Sequence, residues 1–122
     1  MILVDTSVWI DHFRRGNADL TAILEREEVL THPFVVGELA CGDLKKRREV
    51  LDLLAALPSA VIPTEAETLL FIEHHRLMGK GIGYLDAHLL ASTTLTRDAS
   101  LWSLDKRLAA LATTLRIGTT QR

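Results

Sequence analysis

Short apolar runs recur along the chain, and polar or turn-forming residues follow each of them. The first run, residues 2–4, contains no polar side chain, which is typical of a strand buried on both faces of a sheet. Later runs predict strands at residues 29–31, 60–62, 101–102 and 115–117. Apolar residues at helical spacing separate these runs, so strands and helices alternate. The pattern predicts an α/β fold of three layers (α/β/α) with a mostly parallel sheet of about four or five strands.

Local signals predict where several of the helices begin. Thr6 and Ser7 follow the first strand and favour a helix start, because their hydroxyls can accept hydrogen bonds from free backbone N–H groups. Pro33 is suited to the first turn of a helix, where no N–H is needed. Thr64 and Glu67 have the spacing of a capping box. These signals therefore predict helix starts near residues 6, 33 and 64.

Length and composition predict one domain over residues 1–122, with 48% apolar residues to form its core. No apolar run approaches the roughly 18 residues that a membrane span needs, and no basic segment precedes the first run, so we expect neither a membrane helix nor a signal peptide. The single cysteine, Cys41, excludes an internal disulfide and suits a cytoplasmic protein. Its apolar neighbours predict that Cys41 packs in the core.

Charge is unevenly distributed along the chain. The formal net charge is −2, which by itself argues against nucleic-acid binding, yet the basic residues are clustered. We expect the densest cluster on a helix that begins near Leu44 and ends before Pro58. It either forms a solvated helix face or contacts nucleic-acid phosphates. The cluster consists of Lys45, Lys46, Arg47 and Arg48.

Four acidic residues occupy unusual positions: Asp5, Glu38, Asp86 and Asp105. Asp5 and Asp105 follow predicted strands, and Asp86 lies in the first turn of a predicted helix. Each of these three could simply cap a helix or complement its dipole. Glu38 could face solvent, but the apolar residues on both sides of it leave no obvious polar face. A buried lone carboxylate is costly unless it is paired or binds a metal.

Taken together, the four acids predict a metal site. The carboxyl ends of parallel strands share one edge of a sheet, and ligands bind there. Asp5 and Asp105 are expected at that edge, within reach of Glu38 and Asp86 on helices. Crowded carboxylates repel one another, and a hard divalent cation removes the conflict. Because all the ligands are oxygens, Mg²⁺ or Mn²⁺ is favoured over zinc, and such a site can activate water toward a phosphodiester.

Fragments around these acids resemble a known family in their order and spacing. They are LVDTSVWID at 3–11, VGEL at 36–39, IGYLDAHLLA at 82–91 and LWSLDKRL at 101–108. Together they resemble the PIN-domain ribonucleases, specifically the toxin branch of the VapBC toxin–antitoxin systems. The resemblance covers nearly the whole chain and implies a PIN-like fold.

The resemblance also implies an activity and partners. It implies a magnesium-dependent endoribonuclease that cuts RNA in translation, is blocked by a cognate VapB-type antitoxin, and is commonly a homodimer. Asp5, Glu38, Asp86 and Asp105 match the family's acidic positions, and Ser7 and Ser103 match hydroxyl positions that support the site. The family commonly has Thr-Arg-Asp where this chain has 103–105, and that triplet occurs here at 96–98. Asp98 is therefore an alternative fourth acid, but it precedes a strand and is expected at the opposite edge of the sheet.

Other chemistries find less support in the sequence. The five histidines show no spacing typical of a zinc site. His88, two residues from Asp86, is an ordinary helix residue, a support for the site or an RNA contact, and the first is favoured. Trp9 and Trp102 are expected in the core. A receiver-type regulatory domain would need an acid after its middle strand, where this chain has Pro63 and Thr64. A phosphatase would need a second Asp at Ser7. A PIN domain without catalysis is a further alternative.

Overall fold

A computed structural model describes residues 1–119 as a small parallel sheet with helices around it. Within these residues the strands are β1 (Ile2–Val4), β2 (Val29–Leu30) and β3 (Ser100–Trp102). The helices are α1 (Thr6–Arg15), α2 (Ala18–Glu25), α3 (Pro33–Ala40), α4 (Arg47–Ala56), α5 (Glu65–His75), α6 (Tyr84–Leu95) and α7 (Lys106–Thr114). The predicted α/β class is confirmed, including the parallel arrangement of the strands.

β1 is the central strand of the sheet, which has the order β2-β1-β3. Leu3 pairs with Leu30 on one side and with Leu101 on the other. The central position explains why β1 is apolar, since both Leu3 and Val4 are fully buried between helices. Beyond β1, the N–H of Asp5 donates to the carbonyl of Trp102 at 2.9 Å. The carboxyl ends of β1 and β3 therefore open onto the same edge.

Both tryptophans lie in the core, as the sequence predicts. Trp9 on α1 and Trp102 at the end of β3 are almost completely buried, and Trp9 stacks on Phe13 with 5.8 Å between ring centroids. Thr64 and Glu67 form the predicted capping box at the start of α5. Among residues 1–119, no helix has the length and apolar character that crossing a bilayer would require.

The prediction of four or five strands is wrong, since the described residues contain three. The segment at 60–62 forms no strand, and the nearest pairing is a single bridge between Thr31 and Ser59. Val61 and Ile62 are about half exposed, at 48% and 52%, and the N–H of Val61 donates to the hydroxyl of Thr96. Ala60 is still buried, but the chain leaves the sheet after one bridge and brings Val61 and Ile62 to the surface.

The predicted edge strand at 115–117 is also absent. Leu115 caps α7, and Arg116 adopts a left-handed conformation with φ of 63°, so this segment turns. A single bridge joins Leu101 to Gly118 just beyond the turn. The turn that ends α7 thus occupies the residues whose apolar pattern predicted a strand.

Two further expectations about the middle of the chain are wrong. α4 begins at Arg47, and Lys46 before it is left-handed with φ of 52°, so Lys45 and Lys46 precede the helix that was predicted to carry them. Cys41 is exposed and is not a core residue. It directly follows α3 on the same helical face as Gly37 and Glu38, both of which are exposed.

Candidate active site

The carboxylate of Asp5 is held by two serine hydroxyls at the carboxyl end of the sheet. Ser7 Oγ and Ser103 Oγ each donate to Asp5 Oδ2 at 2.7 Å. Each hydroxyl is in turn oriented by a backbone N–H, because Ser7 Oγ accepts from Leu104 and Ser103 Oγ accepts from Asp105, both at 3.0 Å. The turn between β3 and α7 therefore orients the carboxylate that follows β1.

Asp5 does not use this carboxylate to cap a helix. Its backbone lies at the N-cap of α1, with φ of −70° and ψ of 156°, but its side chain makes no capping hydrogen bond. The side chain is 6% exposed, and its two serine donors compensate part of the cost of burying a charged oxygen. The capping alternative for Asp5 is therefore wrong.

Glu38 reaches the same edge from α3 and contacts the start of α1. Its Oε1 accepts from Thr6 Oγ1 at 2.5 Å. Glu38 is exposed, so the expectation that its apolar neighbours leave it no solvent face is wrong. The neighbouring Gly37 is also exposed, and no atom lies close to where its side chain would project. Gly37 and Glu38 therefore lie on a solvent-facing side of α3 that the sequence did not reveal.

Asp86 lies in the first turn of α6, where Gly83 is the N-cap residue. Burial is the largest cause that raises the pKa of the Asp86 carboxyl above its ordinary value, followed by the charges of Asp5 and Asp105 and, more weakly, Glu38. The N–H of Gly83 donates to this carboxylate and partly opposes the shift. Asp86 is thus within electrostatic range of all three other acids.

Asp105 combines a structural role with a position at the site. It is the N-cap of α7, and its Oδ1 accepts from the N–H groups of Arg107 and Leu108, both at 3.0 Å. Both bonds end on Oδ1, so Oδ2 takes neither of them. The alternative acid, Asp98, lies at the opposite edge as predicted, because its carbonyl accepts from the Met1 amino group at 3.2 Å.

The donor set has the chemistry of a site for a hard divalent cation. Asp5, Glu38, Asp86 and Asp105 contribute only carboxylate oxygens, the ligands that Mg²⁺ and Mn²⁺ prefer. Repulsion from the other acids adds to burial in raising the pKa of Asp86, and a bound cation relieves that repulsion. Between residues 1 and 119, no three His, Cys, Asp or Glu side chains are close enough together to coordinate one metal ion with their present side-chain positions. The acids surround one region without converging on one point.

Comparison with known proteins identifies the family of this arrangement. The PIN domain matches residues 2–113. The chain belongs to the PIN-domain family. The chain is also 49% identical over 110 residues to Ribonuclease VapC32 of Mycobacterium tuberculosis, from strains CDC 1551 / Oshkosh and ATCC 25618 / H37Rv, which covers 90% of this chain and 89% of each relative. The resemblance to a VapC-type PIN protein is confirmed, and a receiver-type domain is excluded.

The basic cluster lies outside the carboxylate group of this PIN domain. All four side chains at 45–48 are exposed, and Arg47 donates to the carbonyl of Gly42 at 3.3 Å. The cluster borders a groove of about 720 Å³ between α1 and the start of α4, whose walls include Ile10 and Phe13. The structure therefore presents these charges to solvent, which is compatible with either of the two predicted roles.

Several contacts around the site were not evident from the sequence. Thr6 was expected only to start a helix, but its hydroxyl donates to Glu38. The spacing of the histidines indicated no shared site, yet the rings of His32 and His88 lie together in the interior, with 4.9 Å between centroids. His88 is 4% exposed, so it is not a surface contact for RNA. No signal in the sequence could have found these pairs, because their partners lie 32 and 56 residues apart.

Proposed function

We propose that this PIN protein is a magnesium-dependent endoribonuclease and the toxin of a toxin–antitoxin pair, with residues 1–122 forming one nuclease domain. The observation that carries the proposal is the grouping of four carboxylates near the carboxyl ends of β1 and β3, where burial and the charges of Asp5, Asp105 and Glu38 together raise the pKa of Asp86. A partly buried carboxyl whose pKa is raised by burial and by neighbouring carboxylates is typical of functional sites. The ribonuclease name of the relatives supports RNA as the substrate.

Each acid has a separate task in this proposal. Asp5 and Asp86 would hold the ion, while Glu38 and Asp105 complete the pocket and orient the attacking water. Ser7 and Ser103 hold Asp5 in one orientation, and Thr6 holds Glu38. The cap at Asp105 fixes that carboxylate relative to the axis of α7. Such prior orientation matters because misplaced groups lose catalytic effect steeply.

Mg²⁺ fits the donor set, and Mn²⁺ is a suitable substitute. The chemistry that such an ion supplies is activation of water and neutralisation of charge on the phosphodiester. Four carboxylates by themselves would repel RNA phosphates. Protein cations must therefore bring the RNA backbone to the site, and Lys45, Lys46, Arg47 and Arg48 are exposed and suited to this task.

The proposed partner is a VapB-type antitoxin that blocks the carboxylates. An arginine suits this role, because its planar fork of N–H donors matches carboxylate oxygens and stays charged at neutral pH. In this proposal the toxin is a cytoplasmic homodimer that inhibits translation when the antitoxin is lost. The partner is tested by expressing the chain alone and together with the antitoxin, since only the first condition should arrest growth.

The activity itself is tested with purified protein and total cellular RNA, with the ends of the products mapped by sequencing. Cleavage should occur at defined positions in Mg²⁺ or Mn²⁺ and stop in excess EDTA. Asp86→Asn protein is the control for contaminating nucleases. Cleavage that continues undiminished in EDTA would exclude a metal-dependent mechanism. A folded protein that cleaves no RNA with either ion would instead favour a PIN domain without catalysis.

A further inference from the structure

Two buried histidines connect the helices that carry Glu38 and Asp86. His32 is the N-cap of α3, and His88 lies in α6 two residues beyond Asp86. The side chains are 0% and 4% exposed, and neither belongs to the carboxylate group. Their rings meet edge to face at 87°, and Phe34 packs on His88 with 4.3 Å between centroids. A buried polar contact of this kind needs a specific set of hydrogen bonds.

The hydrogen bonds fix the tautomer of each ring. His32 Nδ1 accepts from the N–H of Phe34 at 3.0 Å, so in the neutral ring the hydrogen is on Nε2. That Nε2 lies 2.9 Å from Ser92 Oγ and 3.1 Å from His88 Nδ1, and its N–H points to these two acceptors. His88 Nδ1 then carries no hydrogen, so its Nε2–H donates, and the carbonyl of Pro63 is its backbone acceptor.

These bonds all run in one direction, from the first turn of α3 through His32 and His88 to Pro63. Both rings must be neutral for this order to hold. Burial, with a smaller contribution from the charge of His88, lowers the pKa of His32 to about 4, so the His32 ring is neutral at neutral pH. At neutral pH the chain of bonds is therefore complete. It ties the N-terminal end of α3, about one and a half turns before Glu38, to the part of α6 that begins two residues beyond Asp86.

We propose that His32 is a positioning residue that sets the spacing of α3 and α6, and thereby the separation of the Glu38 and Asp86 carboxylates. This inference rests on the proposed nuclease function, because it assigns His32 a task in that site. His32 touches neither acid and acts through the helices. Its ring has two separable roles: Nδ1 caps α3, and Nε2–H makes the link to α6.

Two substitutions separate these roles. In His32→Asn, the side-chain oxygen can replace Nδ1 at the cap, but the amide is too short to reach Ser92 and His88. In His32→Gln, the longer amide can place an N–H near the former Nε2, while the cap is weakened. If His32 is a positioning residue, H32N loses turnover although its cap is kept, and H32Q keeps turnover although its helix is less stable.

The measurements are kcat and KM on the RNA that wild-type protein cleaves, together with melting curves. We expect kcat of H32N to fall by roughly 10- to 100-fold with KM nearly unchanged, and that of H32Q to stay within about threefold. Thr93→Val is the control, because its buried hydroxyl bonds only within α6, to Leu89. Turnover that follows melting temperature across all three variants would overturn the proposal, as would wild-type kcat in folded H32N.

An amide ¹H–¹⁵N spectrum in EDTA tests the spacing without any activity. The signals of Glu38 and Asp86 should move in H32N and stay near wild-type positions in H32Q. If the wild-type protein cleaves no RNA, the proposed function fails. This spectrum then still tests whether His32 sets the spacing of α3 and α6. If H32N does not fold, Ser92→Ala combined with His88→Phe replaces it, since the pair removes both acceptors on α6 and keeps an aromatic ring at 88. Unmoved signals in the folded variant would overturn the proposal.

Discussion

Ser103 Oγ donates to Asp5 Oδ2 at 2.7 Å and joins residues that are 98 positions apart in the chain. The same hydroxyl accepts from the N–H of Asp105. One serine therefore contacts both Asp5, which follows β1, and Asp105, the N-cap residue of α7. Ser7 repeats the arrangement with Leu104. The orientation of Asp5 therefore depends on how the β3–α7 turn is placed.

Ser103→Ala should lower cleavage by roughly tenfold or more, because Asp5 loses a donor and the N–H of Asp105 loses its acceptor. Loss of a buried hydrogen bond to a charged group should also cost about 1–3 kcal/mol in the free energy of unfolding. Cleavage rates and urea unfolding test both effects. Ser59→Ala, an exposed serine, is the control. Normal cleavage by S103A would show that Ser7 alone orients Asp5.

Asp105→Asn should reduce cleavage by orders of magnitude and leave the fold intact. Asparagine caps helices about as well as aspartate, so α7 keeps its N-cap, while the site loses one charge. Asp98→Asn removes the same charge at the opposite edge of the sheet and should change cleavage little. Cleavage rates of the two variants show which acid belongs to the site, and circular dichroism shows whether each variant is folded. Cleavage lost in D98N and kept in D105N would reverse the assignment of the fourth acid.

Asp86→Asn should abolish cleavage and raise the melting temperature of the metal-free protein at pH 7. The raised pKa means that folding disfavours the charged carboxylate, so this cost is present above the folded pKa and disappears as pH falls. The amide carries no charge and removes the cost. Melting in EDTA at pH 7 measures the effect, and the gain should shrink at low pH. A lower melting temperature would mean that the Gly83 contact outweighs the combined cost of burial and repulsion.

Stability should fall as pH decreases from about 6.5 to 4, in part because of His32. Its folded pKa of about 4 lies below the ordinary 6.5, so the unfolded chain binds the proton first, and the stabilisation present above pH 6.5 is lost on acidification. The full difference corresponds to roughly 3 kcal/mol. Urea unfolding across this range should show a shallower pH dependence in H32N. His74→Gln, at an exposed histidine, should keep the wild-type slope.

Replacing all four basic residues at 45–48 with Gln should weaken RNA binding and flatten its salt dependence. Each phosphate interaction that the substitutions remove should reduce the slope of log K against log salt by about 0.7 for single-stranded RNA. Binding is measured in EDTA, where no cleavage occurs. Arg26→Gln with Arg97→Gln, both exposed, is the control. An unchanged slope in the 45–48 variant would show that the cluster is only a solvated surface.

Local sequence determined the parts of this protein that depend on neighbouring residues. The apolar run before Asp5 predicts a buried strand, and β1 is the central strand. Thr64 and Glu67 predict their capping box because both partners lie within one turn. The strand-to-helix order also predicts that Asp105, and not Asp98, shares an edge with Asp5, because parallel strands end on the same side.

Only the tertiary structure decided what depends on the path of the chain between distant residues. An apolar pattern carries no information on whether a partner strand is available. Val61 and Ile62 were therefore predicted to form a strand, but they lie exposed on the surface. The apolar neighbours of Glu38 in sequence likewise do not show which side of α3 packs on the core, so they did not predict that Glu38 is exposed. The contact of His32 with His88 needs α3 and α6 to meet across 56 residues, and it is the packing of helices around β1 that brings them together.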